Sequence, residues 1–203
     1  MTIIQQIIIL APPLLFALTI HEYAHGYVAY QYGDPTAFNQ GRLTLNPLKH
    51  IDPLGVLCFI ILKIGWAKPI PVNAAYFKNP RHDLLWVSLA GPGANLVAAV
   101  ASALLLKVLT LFLHLVPAVV LLPVLQMVSA SVWINIVLAV FNLVPIPPLD
   151  GSKILSGLLP PDIARSYARI EPYGFIFLLI LFYTGILPKM IMPIIAFAQN
   201  LMV

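Results

Sequence analysis

Five consecutive residues hold the chemistry this sequence is best equipped to do: His21-Glu22-Tyr23-Ala24-His25. On a helix, positions i and i+4 share a face, so His21 and His25 can hold one metal ion while Glu22 projects beside them toward a water on that ion. That spacing is the one a zinc hydrolase uses. The setting is unusual, because Ile3 to Ile20 contains no charged residue and places the pair at membrane depth. Two imidazoles and a carboxylate in an apolar helix are costly to bury without a metal, so histidines that merely bond to neighbouring helices make the weaker reading.

A catalytic zinc takes three protein ligands and keeps one position open. Besides Glu22 the acids are Asp34, Asp52, Asp83, Asp150, Asp162 and Glu171, and only Asp150 follows a long apolar stretch in a context that would hold it at depth. In the run from Asn142 to Gly151, Pro145, Pro147 and Pro148 remove backbone donors and bar a regular helix. Extended backbone is expected there, which a bilayer tolerates only where it is buried in protein or lines a cavity. The competing role for Asp150 is to cap the short helix after it. His50 and Asp52 could also reach a metal, but fixing the turn into the next apolar segment is their favoured role. His82 with Asp83 reads as a helix start and His114 as an interfacial residue.

The elements that must position these groups are membrane helices. Of 203 residues 61% are hydrophobic and 9% charged, with a mean hydropathy of +0.95, the composition of an integral membrane protein. The expected architecture is an α-helical polytopic bundle of about four long transmembrane helices, near residues 3–31, 83–113, 119–144 and 172–187, the last open to extension beyond Pro188. Leu54 to Ile64, at roughly 11 residues, is too short to cross ~30 Å and is expected as a short buried or re-entrant segment. Arg42 to Asn46 alternates polar and apolar residues, and Pro69 to Phe77 has extended character. Both are expected as short strands of a small β element on the cytosolic side. No repeat, charge run or Ser/Gly-rich linker divides the chain, so residues 1–203 read as a single membrane-embedded domain.

On this arrangement Arg42, Lys49, Lys63, Lys68, Lys78, Arg81, Lys153, Arg165 and Arg169 share one face, with Lys107 and Lys189 opposite. The positive-inside rule puts the first set in the cytoplasm of a multi-pass protein, in the cell membrane, with its N-terminus outside. His25 then lies about six residues, or roughly 9 Å, from the cytosolic end of the first helix. The net charge of +4 is scattered and reads as topology, not as a nucleic-acid footprint. Cys58 is alone, which excludes an intrachain disulfide and a zinc-thiolate site. The first helix lacks a basic n-region and holds the motif, so it is expected to be retained. Gly91, Gly93 and Ala94 should permit close helix contact, with Asn95 bonding across it.

Four motifs in order, His21 to Gly26, Asn46 to Gly55, Gly91 to Leu96 and Asn142 to Gly151, closely resemble the site-2 protease family of intramembrane zinc metalloproteases. The resemblance covers roughly residues 18 to 158, and its first and last motifs are the specific ones. It implies that His21, His25 and Asp150 ligate one Zn²⁺, that Glu22 is the catalytic acid/base, and that Asn142 lies at the active site near the substrate carbonyl. It implies a minimal form without the inserted PDZ or CBS module of larger relatives. In that family, segments similar to the two short strands form a sheet near the active-site entrance, where an edge could pair with an unwound substrate; a loop that merely clamps the site is the alternative.

The implied reaction is peptide hydrolysis within or near transmembrane segments of membrane-protein substrates, which must unwind locally because a helix hides its carbonyls. Glu22 would take a proton from the attacking water and return it to the leaving nitrogen. The rival is a divalent-metal transporter using the same His and Asp residues. A hydrolase needs Glu22 as its base; a transporter does not. The expected partners are a transmembrane protein substrate and the lipid bilayer, without nucleic acid, and the oligomeric state stays open.

Overall fold

The structure, a computed structural model, describes residues 2–62 and 65–202. The helices in chain order are α1 (Ile3–Gln31), α2 (Thr36–Asn39), α3 (Pro53–Leu62), α4 (Pro80–Thr110), α5 (Ala118–Asn142), α6 (Asp150–Leu158), α7 (Pro161–Ala168), α8 (Glu171–Tyr183) and α9 (Ile186–Met202), with single 3-10 turns at Pro47–Lys49 and Ala74–Tyr76. Among the described residues α1, α4 and α5 are long and apolar enough to cross a bilayer. α1 opens on a capping box in which Thr2 accepts from the Gln5 amide and the Gln5 side chain accepts from the Thr2 amide. α4 opens with Pro80 in its first turn, and Asp83 accepts the Asn79 amide at 3.0 Å.

These three helices pack on one another, and α6 lies against α4. Small residues on α4 allow the approach: Ala99 and Ala103 are buried with Val132 and Ile136 of α5 and Ile195 of α9. The single helix expected over 172–187 is instead two, α8 and α9, bent by 77°. The break falls at Gly185, whose φ of 73° suits glycine and which lies between Thr184, the cap of α8, and Ile186, the first residue of α9. Leu178 of α8 and Leu187 of α9 converge on Leu149, just before α6. α3, at 10 residues, is about 15 Å long and does not reach across a bilayer. Lys63 and Ile64, the end of the expected apolar segment, lie outside the described residues.

The expected β element is absent: no strand forms among the described residues. Residues 65–73 are irregular, and their hydrogen bonds go to side chains and isolated backbone groups. Arg42 donates through one guanidinium nitrogen to the carbonyls of Lys68 (2.9 Å) and Pro69 (3.3 Å), Lys68 donates its amide to the His50 carbonyl (2.8 Å), and Asn73 donates its amide to Asp34 (2.7 Å). Pro69 and Pro71 have no amide hydrogen to offer a neighbouring strand. The polar–apolar alternation at 42–46 reflects one inward-reaching arginine. The proline run between α5 and α6 also differs from the extended form expected; it folds as turns, with Ile146 donating to Val144 (2.8 Å) and Leu149 to Ile146 (3.0 Å).

Candidate active site

His21 and His25 stand one turn apart on α1 and point at α4 and α6, where both are buried, as is Asp150. Asp150 is the first residue of α6 and makes no capping bond, so the capping role is not what its carboxylate does. Its Oδ2 lies 3.1 Å from Nε2 of His21 and 3.1 Å from Nε2 of His25, and the two Nε2 atoms are 3.0 Å apart. The helix N-terminus favours a negative charge at this position.

The protons follow from the outer bonds. Both amide hydrogens of Asn95 are engaged, one by the Ala17 carbonyl (3.0 Å) and one by Asn135 Oδ1 (2.8 Å). Asn95 Oδ1 is therefore an acceptor, and His21 Nδ1, at 2.6 Å, donates to it. His25 Nδ1 donates to the Val87 carbonyl at 2.7 Å. With Nδ1 bonded outward on both rings, the neutral imidazoles turn two Nε2 lone pairs toward one another and toward a carboxylate oxygen. Such a cluster is unfavourable in a buried site until a cation joins it. The N,N,O donor set suits zinc, since arms of 2.0–2.1 Å in a tetrahedron separate ligand atoms by about 3.3 Å. Among the described residues His21, His25 and Asp150 form the only group of His, Cys, Asp or Glu able to hold a metal.

Gly91 lets α4 come this close. A Cβ there would press on His25 Nε2 and sit 2.7 Å from both Cε1 and Nε2 of His21. Gly91 thus acts at the site as well as at the helix contact expected of it.

A cavity of about 170 Å³ opens beside the three donors, lined by Glu22, Asn142, Pro69 and Ile70 among others. Glu22 accepts the Ile70 amide at 2.8 Å. Between two prolines, that amide is the one backbone donor of the 69–71 stretch. Asn142 ends α5, lines the cavity and donates one amide hydrogen to the Leu138 carbonyl (2.9 Å). The strap 65–73, tied down by Arg42, His50 and Asp34, thus closes over the Glu22 carboxylate.

The other titratable candidates do structural work. His50 donates through Nε2 to the Thr44 carbonyl (2.8 Å), and Asp52 accepts the Leu54 (2.9 Å) and Gly55 (3.2 Å) amides at the start of α3 and the Trp66 indole at 3.2 Å. His82 pairs with Asp83 in the first turn of α4. Sequence reasoning missed the parts played by Asn135, Arg42 and Ile70. A lone asparagine in the apolar α5 was a visible signal; nothing in the sequence tied Arg42 or Ile70 to Glu22.

The profile of peptidase family M50 matches residues 115–182. The chain is 43% identical over 182 residues to YwhC of Bacillus subtilis (strain 168), named as a zinc metalloprotease, covering 90% of this chain and 83% of that protein. Rip2 of Mycolicibacterium smegmatis, also named as a zinc metalloprotease, is 33% identical over 180 residues, 86% of this chain and 66% of its own length. Rip2 of Mycobacterium tuberculosis (strain H37Rv) is 33% identical over 174 residues, 83% of this chain and 64% of its own length. No solved structure matches the chain.

Proposed function

We propose a site, a reaction course and an orientation from one premise: the chain belongs to peptidase family M50, the site-2 proteases, and is a zinc metalloprotease built on membrane helices. The transporter alternative finds no support among relatives that bear protease names. We assign His21, His25 and Asp150 as the zinc ligands. The observation behind this is that three buried acceptor atoms converge within 3.1 Å while both Nδ1 protons point away. Zinc held there would supply Lewis acidity and bring the pKa of water toward ~7.

Glu22 is the acid/base. Its carboxylate takes a proton from the attacking water, whose oxygen joins the carbonyl carbon, and returns that proton to the nitrogen as the C–N bond breaks. The second amide hydrogen of Asn142 is placed to meet the carbonyl oxygen as it gains charge. Substrate entry displaces the strap and breaks the Ile70–Glu22 bond, because that bond occupies the carboxylate that must meet the attacking water. Substrates are membrane-spanning segments of other proteins with helix-weakening residues, presented to a single membrane-embedded domain.

The site opens toward the cytosolic face of the cell membrane, where Arg42, Lys68, Lys78, Arg81 and Lys153 cluster by the positive-inside rule. Cysteines placed at Lys78 and Arg165 should be labelled from the cytoplasm, and one in the loop 111–117 from outside. The reverse pattern rejects the orientation. For the reaction, Glu22→Gln should lower cleavage of a membrane-helix reporter by ~10²- to 10⁴-fold with zinc content unchanged, since glutamine keeps the size but not the basicity. Cleavage at the native rate by that variant would refute the mechanism.

A further inference from the structure

We propose that Asn95 and Asn135 are positioning residues for the metal centre, holding His21 as an Nε2 ligand through an aligned hydrogen-bond chain from α1 across α4 to α5. This rests on the assignment of His21 as a ligand. The chain begins at His21 Nδ1, which donates to Asn95 Oδ1 (2.6 Å); Asn95 Nδ2 donates to Asn135 Oδ1 (2.8 Å), and Asn135 Nδ2 donates to the carbonyl (2.8 Å) and hydroxyl (3.2 Å) of Ser131. The Ser131 hydroxyl meets that of Ser102 on α4 at 2.9 Å. Asn95 and Asn135 are both 0% exposed.

Two buried carboxamides inside a membrane bundle are costly unless every polar atom is paired. Joining helices would need only the Asn95–Asn135 bond and the Asn95 bond to Ala17. The remaining acceptor, Asn95 Oδ1, goes to the ligand ring at the shortest distance in the chain. Each amide turns its oxygen toward the metal side, so the dipoles add, and aligned bonds of this kind strengthen one another by ~10–30% each. A firm acceptor at Nδ1 fixes the tautomer and makes the Nε2 lone pair a stronger donor. His25 takes the same support from a backbone carbonyl, that of Val87, which substitution does not remove. The support of His21 is therefore the part open to mutation.

The test is zinc affinity of the purified full chain by chelator competition, with visible spectra of the cobalt-loaded protein reporting the ligand set. Asn95→Ala should weaken zinc ~10- to 100-fold, the range for lost outer partners. Asn135→Ala should weaken it less, because Asn95 stays beside His21, held now by its bond to the Ala17 carbonyl alone. Asn95→Asp restores an acceptor for Nδ1 while placing an oxygen where the amide donated, so it should bind zinc more tightly than Asn95→Ala despite a poorer helix contact. Native affinity in Asn95→Ala, or an aspartate variant no better than the alanine one, overturns the proposal. If Asn95→Ala does not fold, native affinity and spectrum in Asn135→Ala overturn it. Native zinc content in His21→Ala would instead overturn the ligand assignment itself.

Discussion

Gly91→Ala sets two effects of known sign against each other. In a helix interior alanine is favoured over glycine by about 1 kcal/mol, so α4 alone gains from the change. At this position the new methyl would lie 2.7 Å from Nε2 and Cε1 of His21, against an ordinary contact of 3.4 Å or more, so the ring must retreat by about 0.7 Å. His21 has little freedom to do so, because its Nδ1 is held at 2.6 Å by an asparagine that is itself bonded twice. Metal–ligand distances tolerate only ~0.2 Å, and a misplacement of ~1 Å in a reactive centre costs ~10²-fold. The expected result is zinc affinity and cleavage each down by about 10²-fold, with the metal-free protein gaining no stability, because overpacking against the two rings, about 1–3 kcal/mol, cancels the helix gain. Chelator competition and thermal melting with and without zinc read both effects. Zinc bound by Gly91→Ala within ~3-fold of the native affinity would show that α4 does not set the closeness of the site.

Arg42→Gln removes the guanidinium nitrogen that holds Lys68 and Pro69; with charged hydrogen bonds worth ~1.5 kcal/mol or more, hydrogen exchange at the Ile70 amide should rise ~10-fold, and an unchanged rate would mean the strap is held by something else. The Asp52 carboxyl is held below its ordinary 3.8, first by the Gly55 amide and then by the Leu54 amide and the Trp66 indole. The cap it forms on α3 is therefore complete above that value and is lost as pH falls through the lowered one. Trp66 emission should follow this acid transition in the native protein and not in Asp52→Asn; the same transition in both would assign it to another group.

The grouping of His21, His25 and Asp150 was legible because its chemistry is local: two histidines at helical spacing name their own face, and one acid among six sat next to a proline-broken segment. The long helices were legible from apolar length. What failed was the reading of segments whose shape is set by distant partners. Arg42 to Asn46 looked like a strand, yet its arginine is buried against carbonyls about 26 residues away. Pro69 and Pro71 were visible, but their meaning, a lone amide aimed at Glu22, depends on where α1 lies. The bend at Gly185 was signalled by the glycine and by Pro188, and the hydropathy of the flanks outweighed both. Asn95 was expected at a helix contact, but its partner on α1 could not be read from α4 alone.

The proposed ligands come from the first helix and from a residue 129 and 125 positions further along the chain. During synthesis α1 enters the bilayer with two of its three metal donors, and the third is not made until α4 and α5 have both followed. A ribosome that stalls anywhere before Asp150 leaves an N-terminal helix that lacks the complete donor set. A protease made in a membrane crowded with other nascent helices thus lacks one of its three proposed zinc ligands until Asp150 has been made.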